Sequence, residues 1–276
     1  MAKQLVWLND DLLPLDQACV SVNDRGFQFG DGLFETLRAD RGTVHFLPEH
    51  LERLKTSARA FRLPFPVAVP WDERLSRLLT ANNLTEGVAR IKILLTRGIT
   101  PGLGLPEASS PTLAIYAQSY TPPTPAEYAA GWPVVVFPEG RSTFVGRHKS
   151  LNYLFYLAAR QYALDRGAQE ALILEADGLV SEGAATSLVY LHQGQFYTPE
   201  APSALPGVTL AVLRRSLSAQ GRTLEARPTT VTQLQTADGL WLANSLMGLM
   251  PVAALDGTPL PLSDATLVLQ ETLALQ

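Results

Sequence analysis

Lysine is the side chain that condenses with a carbonyl to a Schiff base, and only four stand among the 22 basic residues: Lys3, Lys55, Lys92 and Lys149. Lys3 is terminal, and Lys55 falls on the polar side of a helical periodicity over 48–61. Lys92 shares one face of a predicted strand with Arg90 and Leu94. Lys149, in Arg147-His148-Lys149-Ser150-Leu151-Asn152, directly precedes a predicted helix over roughly 151–166. There it faces the positive end of the helix dipole, and Arg147 and His148 add positive potential. Both effects favour the free amine that carbonyl chemistry needs. A solvated lysine at a helix start is the competing reading.

Three other segments have the chemistry of an anion site. Leu205-Pro206-Gly207-Val208-Thr209 opens a predicted helix, where backbone N–H groups and the Thr209 hydroxyl face outward. Asn244-Ser245 follows a predicted strand as a hydroxyl turn, and Arg53 lies on a helix beside Leu54. Glu182 is set among small residues in Val180-Ser181-Glu182-Gly183-Ala184-Ala185, which leave room for a flat ligand. A carboxylate there is suited to holding a protonated ring nitrogen. Asp24, Arg25, Asp31 and Glu35 read as turn chemistry and loop ion pairs. The four histidines, at 45, 50, 148 and 192, are too scattered to ligate a metal, and none is expected.

The elements that must position these residues alternate in kind. Strands are expected at 4–8, 33–39, 89–96 and 112–118, with helices from Pro48 and near 71–82. Thr121-Pro122-Pro123-Thr124-Pro125 reads as a stiff link. Beyond it come strands at 134–137, 170–175, 186–191, 195–197, 239–243 and 250–255. Helices follow from 151, from 206 and at the C-terminus. We therefore expect two α/β domains, 1–120 and 127–276, joined by a linker at 121–126, with Lys149 in the second. Apolar residues make up 46% of the 276, enough for two cores, and the net charge of −4 offers no surface for nucleic acid. One cysteine, Cys19, excludes a disulfide framework. With no membrane-length apolar run and no leader-like N-terminus, a cytoplasmic location is expected.

Taken in order, six segments resemble the class IV aminotransferase family, the fold-type IV pyridoxal-phosphate enzymes. They are Asp24-Arg25-Gly26-Phe27-Gln28-Phe29-Gly30-Asp31-Gly32-Leu33-Phe34-Glu35, His50-Leu51-Glu52-Arg53-Leu54, Lys149-Ser150-Leu151-Asn152-Tyr153, Val180-Ser181-Glu182-Gly183, Leu205-Pro206-Gly207-Val208-Thr209, and Asn244-Ser245-Leu246-Met247-Gly248. The resemblance implies an α+β, two-domain fold of the D-amino acid aminotransferase type. It also implies pyridoxal 5'-phosphate as cofactor, a small amine substrate and a homodimer. On the matching positions Lys149 is the Schiff-base lysine, and Glu182 is the carboxylate on the ring nitrogen. Arg53, Val208, Thr209 and Ser245 are the phosphate ligands.

The branch within the family rests on the substrate side. Thr96-Arg97-Gly98 is followed by Pro101-Gly102-Leu103-Gly104-Leu105, without the Arg-x-His carboxylate trap of D-amino acid transaminases. Asn244-Ser245-Leu246-Met247 before Pro251-Val252, with Lys92 upstream, is similar to 4-amino-4-deoxychorismate lyase, which releases pyruvate to give 4-aminobenzoate in folate biosynthesis. Gly102-Leu103-Gly104 is instead like branched-chain enzymes, so an aminotransferase of branched-chain or broad specificity is the alternative. Lys92, Arg97 and Asn244 are the expected contacts to substrate carboxylates.

Overall fold

The computed structural model describes residues 4–108 and 110–274. The architecture is α+β, and the chain forms two compact units. The first takes residues up to Pro122 and then His148–Asn152, while the second takes Pro123–Arg147 and everything from Tyr153 onward. The short return is a departure from the expected partition: Lys149 packs with the first unit.

The first unit is built on a six-stranded antiparallel sheet. Its strands are β1 (Leu5–Leu8), β2 (Asp11–Pro14), β3 (Gly32–Asp40), β4 (Thr43–Val44), β5 (Val88–Thr96) and β6 (Thr112–Ser119), in spatial order β2-β1-β6-β5-β3-β4. Strand parity decides its two faces. Leu37 and Ala39 of β3, Ile91 and Ile93 of β5, and Ile115 and Ala117 of β6 point into an apolar core. Helices α2 (Leu47–Ala60) and α3 (Trp71–Ala81) close that core with Leu54, Ala58, Leu75, Leu78 and Leu79. Each such leucine contributes roughly 1.5–3 kcal/mol by leaving water. The opposite parity carries Phe34, Thr36, Lys92 and Tyr116, with Thr36 paired to Lys92 and Lys92 to Tyr116. A one-turn helix, α1 (Arg25–Phe29), precedes β3; the Asp24 side chain caps it by accepting from the Gly26 N–H at 2.7 Å.

The second unit begins at α4 (Pro125–Ala130). Thr124 and Glu127 form a capping box with Pro125 at the first helical position, so the proline-rich stretch read as a link starts a helix. A nine-stranded mixed sheet follows. It comprises β7 (Trp132–Val136), β8 (Glu170–Leu174), β9 (Val180–Gly183), β10 (Ser187–His192), β11 (Gln195–Pro199), β12 (Leu224–Arg227), β13 (Gly239–Asn244), β14 (Gly248–Leu255) and β15 (Thr258–Pro259). The order is β12-β11-β10-β13-β14-β7-β8-β9, with β15 on β14. Helix α5 (Leu154–Leu164) packs against β8, while α6 (Val208–Ala219) and α8 (Ala265–Ala274) pack on β10, β13 and β14. A short α7 (Val231–Gln235), capped by Thr230, lies between β12 and β13. Helix α5 starts three residues later than the periodicity predicts. Backbone bonds of Ser150 and Leu151 to the first unit keep that stretch extended: Leu151 N–H donates to the Gly32 carbonyl at 2.9 Å, and Ser150 forms a bridge to Leu33. Among the described residues no helix is long and apolar enough to cross a membrane.

Candidate active site

In the first unit, the Lys149 segment is laid against the start of β3. Phe34 N–H donates to the Lys149 carbonyl at 2.8 Å. The Lys149 Nζ lies 4.6 Å from the centroid of the Phe34 ring, and the Lys92 Nζ lies 4.2 Å from the same centroid. The structure thus brings together two of the four lysines on the polar face of the sheet. Burial, and then the charge of Arg90, push the Lys92 ammonium below its ordinary pKa. The neighbours expected to surround Lys149 are arranged otherwise. The His148 ring turns toward α2, its Nδ1 3.0 Å from Ser57 Oγ and its edge against Phe61. Helical residues begin five positions after Lys149, beyond the one-turn reach of a helix dipole along the chain.

Arg53 is held from below. Its Nε donates to Glu35 Oε1 at 2.8 Å and its Nη2 to Glu35 Oε2 at 2.6 Å. His50, one turn earlier on α2, donates from Nδ1 to Glu35 Oε2 at 2.7 Å. Burial pushes the Glu35 carboxyl up, but the charge and hydrogen bonds of Arg53, and then His50, outweigh it and hold the pKa at about 2. Glu35 was read as loop ion pairing. The signal that would have placed it is parity: it alternates with Leu33 and Leu37 on the core side, where a carboxylate requires a buried cation.

Arg97 is not a substrate ligand. It is fully buried, and all five of its N–H donors are used. Nε and Nη2 donate to the two oxygens of Asp31 at 2.8 and 3.1 Å, Nη1 to the Arg62 and Pro106 carbonyls, and Nη2 also to the Phe61 carbonyl. Asp31 pairs in addition with Arg25, whose Nη1 and Nη2 donate to the carbonyls of Gly102 and Gly104. Burial raises the Asp31 pKa, yet the two arginines hold it below its ordinary value. This cluster fixes the loop after β5. Asn244 is engaged in its own turn: its Oδ1 accepts from the N–H groups of Leu246 and Met247 at 3.0 Å, and one Nδ2 hydrogen is donated to the Ala185 carbonyl. It shapes the turn that carries Ser245, and these bonds commit the oxygen and one N–H of the amide expected to meet substrate.

In the second unit, Glu182 lies in the wholly buried strand β9, opposite Ile173 of β8. It is 5% exposed, which excludes a solvated glutamate. Tyr156 Oη donates to Glu182 Oε1 at 2.8 Å, and the Leu205 N–H donates to Oε2 at 3.0 Å. Arg141 donates to Tyr156 Oη and places Nη2 3.6 Å from Glu182 Oε1. Burial, and then the Glu182 charge, push the Tyr156 phenol up, so it remains a donor. Sequence patterns gave no hint of Tyr156 or Arg141 in this role.

The start of α6 tests whether the cofactor fits. Gly207 is its N-cap and supplies no side-chain cap, so the N–H groups of the first turn have no side-chain partner there. A Cβ on Gly207 would stand 2.3 Å from Ser187 Oγ, so any larger residue there has to turn the Ser187 hydroxyl away. Thr209 is 3% exposed, and its Oγ1 is buried with no hydrogen-bond partner. A buried helix N-terminus with an orphaned hydroxyl is a site for an anion, and a phosphate ester satisfies each donor. Two results are expected. Thr209→Val stabilises the cofactor-free protein, because a desolvated hydroxyl costs about 1–3 kcal/mol, yet it weakens binding of pyridoxal phosphate. Arg53→Ala and Ser245→Ala weaken binding more than they slow chemistry, each by about 1.5–3 kcal/mol. Thermal melts of the apoprotein and cofactor titrations measure both.

The comparisons agree with this chemistry. Residues 32–255 match the family described as Amino-transferase class IV. The Arabidopsis thaliana branched-chain-amino-acid aminotransferase-like protein 1 is 31% identical over 93% of this chain, although the chain spans only 47% of that relative's length. A D-alanine aminotransferase of Staphylococcus epidermidis is 30% identical over 91% of this chain and 89% of its own. Among solved structures, a Mycobacterium tuberculosis chain named a hypothetical aminotransferase, with PLP bound, superposes at a TM-score of 0.85. It shows 25% identity and covers 98% of this chain and 97% of its own. A Legionella pneumophila chain named as a candidate 4-amino-4-deoxychorismate lyase gives 0.85 at 26% identity, covering 93% and 94%. Six ordered motifs, the lysine segment against β3, the buried Glu182 and the anion-ready start of α6 lead to one conclusion: the chain belongs to the class IV aminotransferase family of pyridoxal-phosphate enzymes.

Proposed function

We propose that the protein is an aminotransferase of branched-chain or broad α-amino-acid specificity. The observation that carries this reading is that Lys92 and Lys149 both place their Nζ over the Phe34 ring. A second, half-buried ammonium on the ring that Lys149 also meets would receive the carboxylate of an amino acid substrate. The names of the relatives support the same class. The lyase reading rests on the Asn244-Ser245-Leu246-Met247 segment and on Lys92; Asn244 Oδ1 is bound within its own turn, and Lys92 meets a substrate carboxylate in either reaction, so it is the relatives' names that favour the aminotransferase.

Pyridoxal phosphate, when bound, supplies an electron sink for a carbanion at the substrate's α-carbon. The roles of the chain's residues follow from their chemistry. Lys149 Nζ would hold the cofactor as a Schiff base and, as a free amine, would be the group that takes the α-proton from the substrate and delivers it elsewhere. Glu182 keeps a proton on the ring nitrogen, with Tyr156 and the Leu205 N–H orienting its two oxygens. Arg53, the Val208 and Thr209 N–H groups, Thr209 Oγ1 and Ser245 Oγ hold the phosphate. Lys92 holds the substrate carboxylate.

The proposal includes a cytoplasmic homodimer. Phe27 of α1 and Val22 and Leu103 of the first unit's loops are 75, 69 and 92% exposed, large apolar groups that a second copy of the chain would cover. The deciding experiment mixes holoprotein with L-leucine, D-alanine or 4-amino-4-deoxychorismate and follows the cofactor spectrum and the products. The expected result is a 2-oxo acid, with the cofactor left in its amine form until an oxo acid acceptor is added. Release of pyruvate and 4-aminobenzoate without an acceptor, and no reaction with amino acids, would overturn it.

A further inference from the structure

Glu170 opens β8 in the second unit, and its carboxylate is completely buried. Nothing in the function proposed above uses it. Oε1 accepts from the Ala171 N–H at 3.0 Å. Oε2 accepts from the Ala185 N–H at 3.2 Å and from Thr186 Oγ1 at 3.2 Å, and Arg160 of α5 places Nη1 3.3 Å from it. Burial pushes this carboxyl up, while the Arg160 charge and the three hydrogen bonds oppose the shift. A buried carboxylate costs more than an apolar residue of the same shape unless it organises its surroundings.

What it organises is the turn between β9 and β10. The turn begins immediately after Glu182, with Gly183 N–H donating to the Thr186 carbonyl at 2.7 Å. It is packed on the Glu170 stem: a Cβ at Gly183 would lie 2.1 Å from Thr186 Oγ1 and 3.2 Å from Glu170 Cγ. On its other side, the Ala185 carbonyl accepts from Asn244 Nδ2 at 3.3 Å, and Asn244 closes the turn that bears Ser245. Tyr153 Oη donates to the Ala184 carbonyl at 3.1 Å. One small turn therefore joins Glu182 to the Ser245 loop, and Glu170 is the group bound to its middle.

We propose that Glu170 is a positioning residue that fixes the Gly183–Thr186 turn and so sets the spacing between Glu182 and Ser245 that the ring nitrogen and phosphate of the cofactor require. This rests on the reading of Glu182 and Ser245 as cofactor ligands. The amide of Glu170→Gln offers one acceptor oxygen where the carboxylate offers two, so donors from Ala171, Ala185 and Thr186 are no longer all matched.

The test titrates apoprotein with pyridoxal phosphate and with pyridoxal, in wild type, Glu170→Gln, Asn244→Ala and the double variant, alongside apoprotein melting temperatures. Glu170→Gln is expected to lower pyridoxal phosphate affinity about tenfold or more, the effect of losing a hydrogen bond to a charged group. Asn244→Ala is expected to lower affinity for pyridoxal phosphate but hardly for pyridoxal. The double variant should lose less than the product of the two, because both act through one turn. A folded Glu170→Gln protein with affinity within about twofold of wild type, or losses that simply multiply, overturns the proposal; additivity of that kind is the behaviour of independent sites. A role in stability alone lowers the melting temperature and leaves the phosphate-to-pyridoxal affinity ratio unchanged, which also overturns it. If Glu170→Gln does not fold, Thr186→Val keeps every charge and removes one donor. A loss of about threefold or more then supports the proposal, and unchanged affinity overturns it. A wild-type chain that takes up no pyridoxal phosphate defeats the cofactor reading instead, whereas equal binding by wild type and variants defeats this inference alone.

Discussion

Lys149→Ala is expected to abolish turnover and covalent attachment of the cofactor together. On the function proposed above, the lysine serves twice, as the amine that holds the cofactor and as the base that moves the α-proton. General acid–base action alone is worth about 10²–10⁴-fold. Lys92, though its Nζ lies 4.2 Å from the same Phe34 ring, projects from mid-β5 and is paired in register with Thr36 and Tyr116. Lys55 is exposed on α2. Borohydride reduction followed by mass measurement of the intact chain reads the attachment. Wild type, Lys55→Ala and Lys92→Ala should retain the added cofactor mass, and Lys149→Ala should not. Loss of the mass in Lys92→Ala with retention in Lys149→Ala would reassign the reactive amine.

The second large effect belongs to Glu182. Replacing it by Gln keeps the shape and a hydrogen bond but removes the negative charge that holds a proton on the ring nitrogen. The phosphate contacts lie elsewhere on the chain, so cofactor should still load. The single-turnover rate at saturating amino acid should fall by about a hundredfold or more, equivalent to about 2.7 kcal/mol of transition-state stabilisation. A merely structural glutamate would show the reverse pattern, with a lowered melting temperature and a near-normal rate per loaded site. Tyr156→Phe supplies the graded comparison. It removes the neutral donor to Oε1 while leaving the charge, so its effect on rate should be clearly smaller.

The site was legible where its chemistry is carried by short runs of neighbouring residues. Glu182 and Thr209 announce themselves through what stands beside them, a buried strand of small residues and a Pro-Gly helix start; Lys149 stands out by the scarcity of lysine and by the family motif, since the helix expected beside it begins only at Leu154. The parity that separates Lys92 from Ile91 was equally readable, because a strand reports its faces every second residue. Asn244 caps its own turn through Leu246 and Met247, a local pattern that was open to reading, whereas Arg97 was misread for a physical reason. An arginine or amide is assigned to a ligand only if the fold has not already used its donors, and the partners of Arg97 come from positions 31, 61, 62 and 106. No local window contains them. Glu170 was hidden in the same way, since its partners lie on α5 and in a turn some fifteen residues on. Helix α4 was visible but overlooked. Thr124 and Glu127 spell a capping box, and three prolines drew attention from it.

The return of His148–Asn152 to the first unit has a consequence for how the protein is made. Asn152 Nδ2 donates to the Gly30 carbonyl across 122 residues of chain. A ribosome that has released only the first 122 residues has supplied every strand of the six-stranded sheet but not the segment that lies against β3. Closing so long a loop is slow and carries an entropic cost that only the completed contacts repay. Lys149 is thus delivered by one of the last connections the first unit makes. A nascent or truncated chain ending at the proline-rich stretch is chemically silent toward aldehydes in the cell at this position, and the amine is presented only after more than half of the protein has emerged.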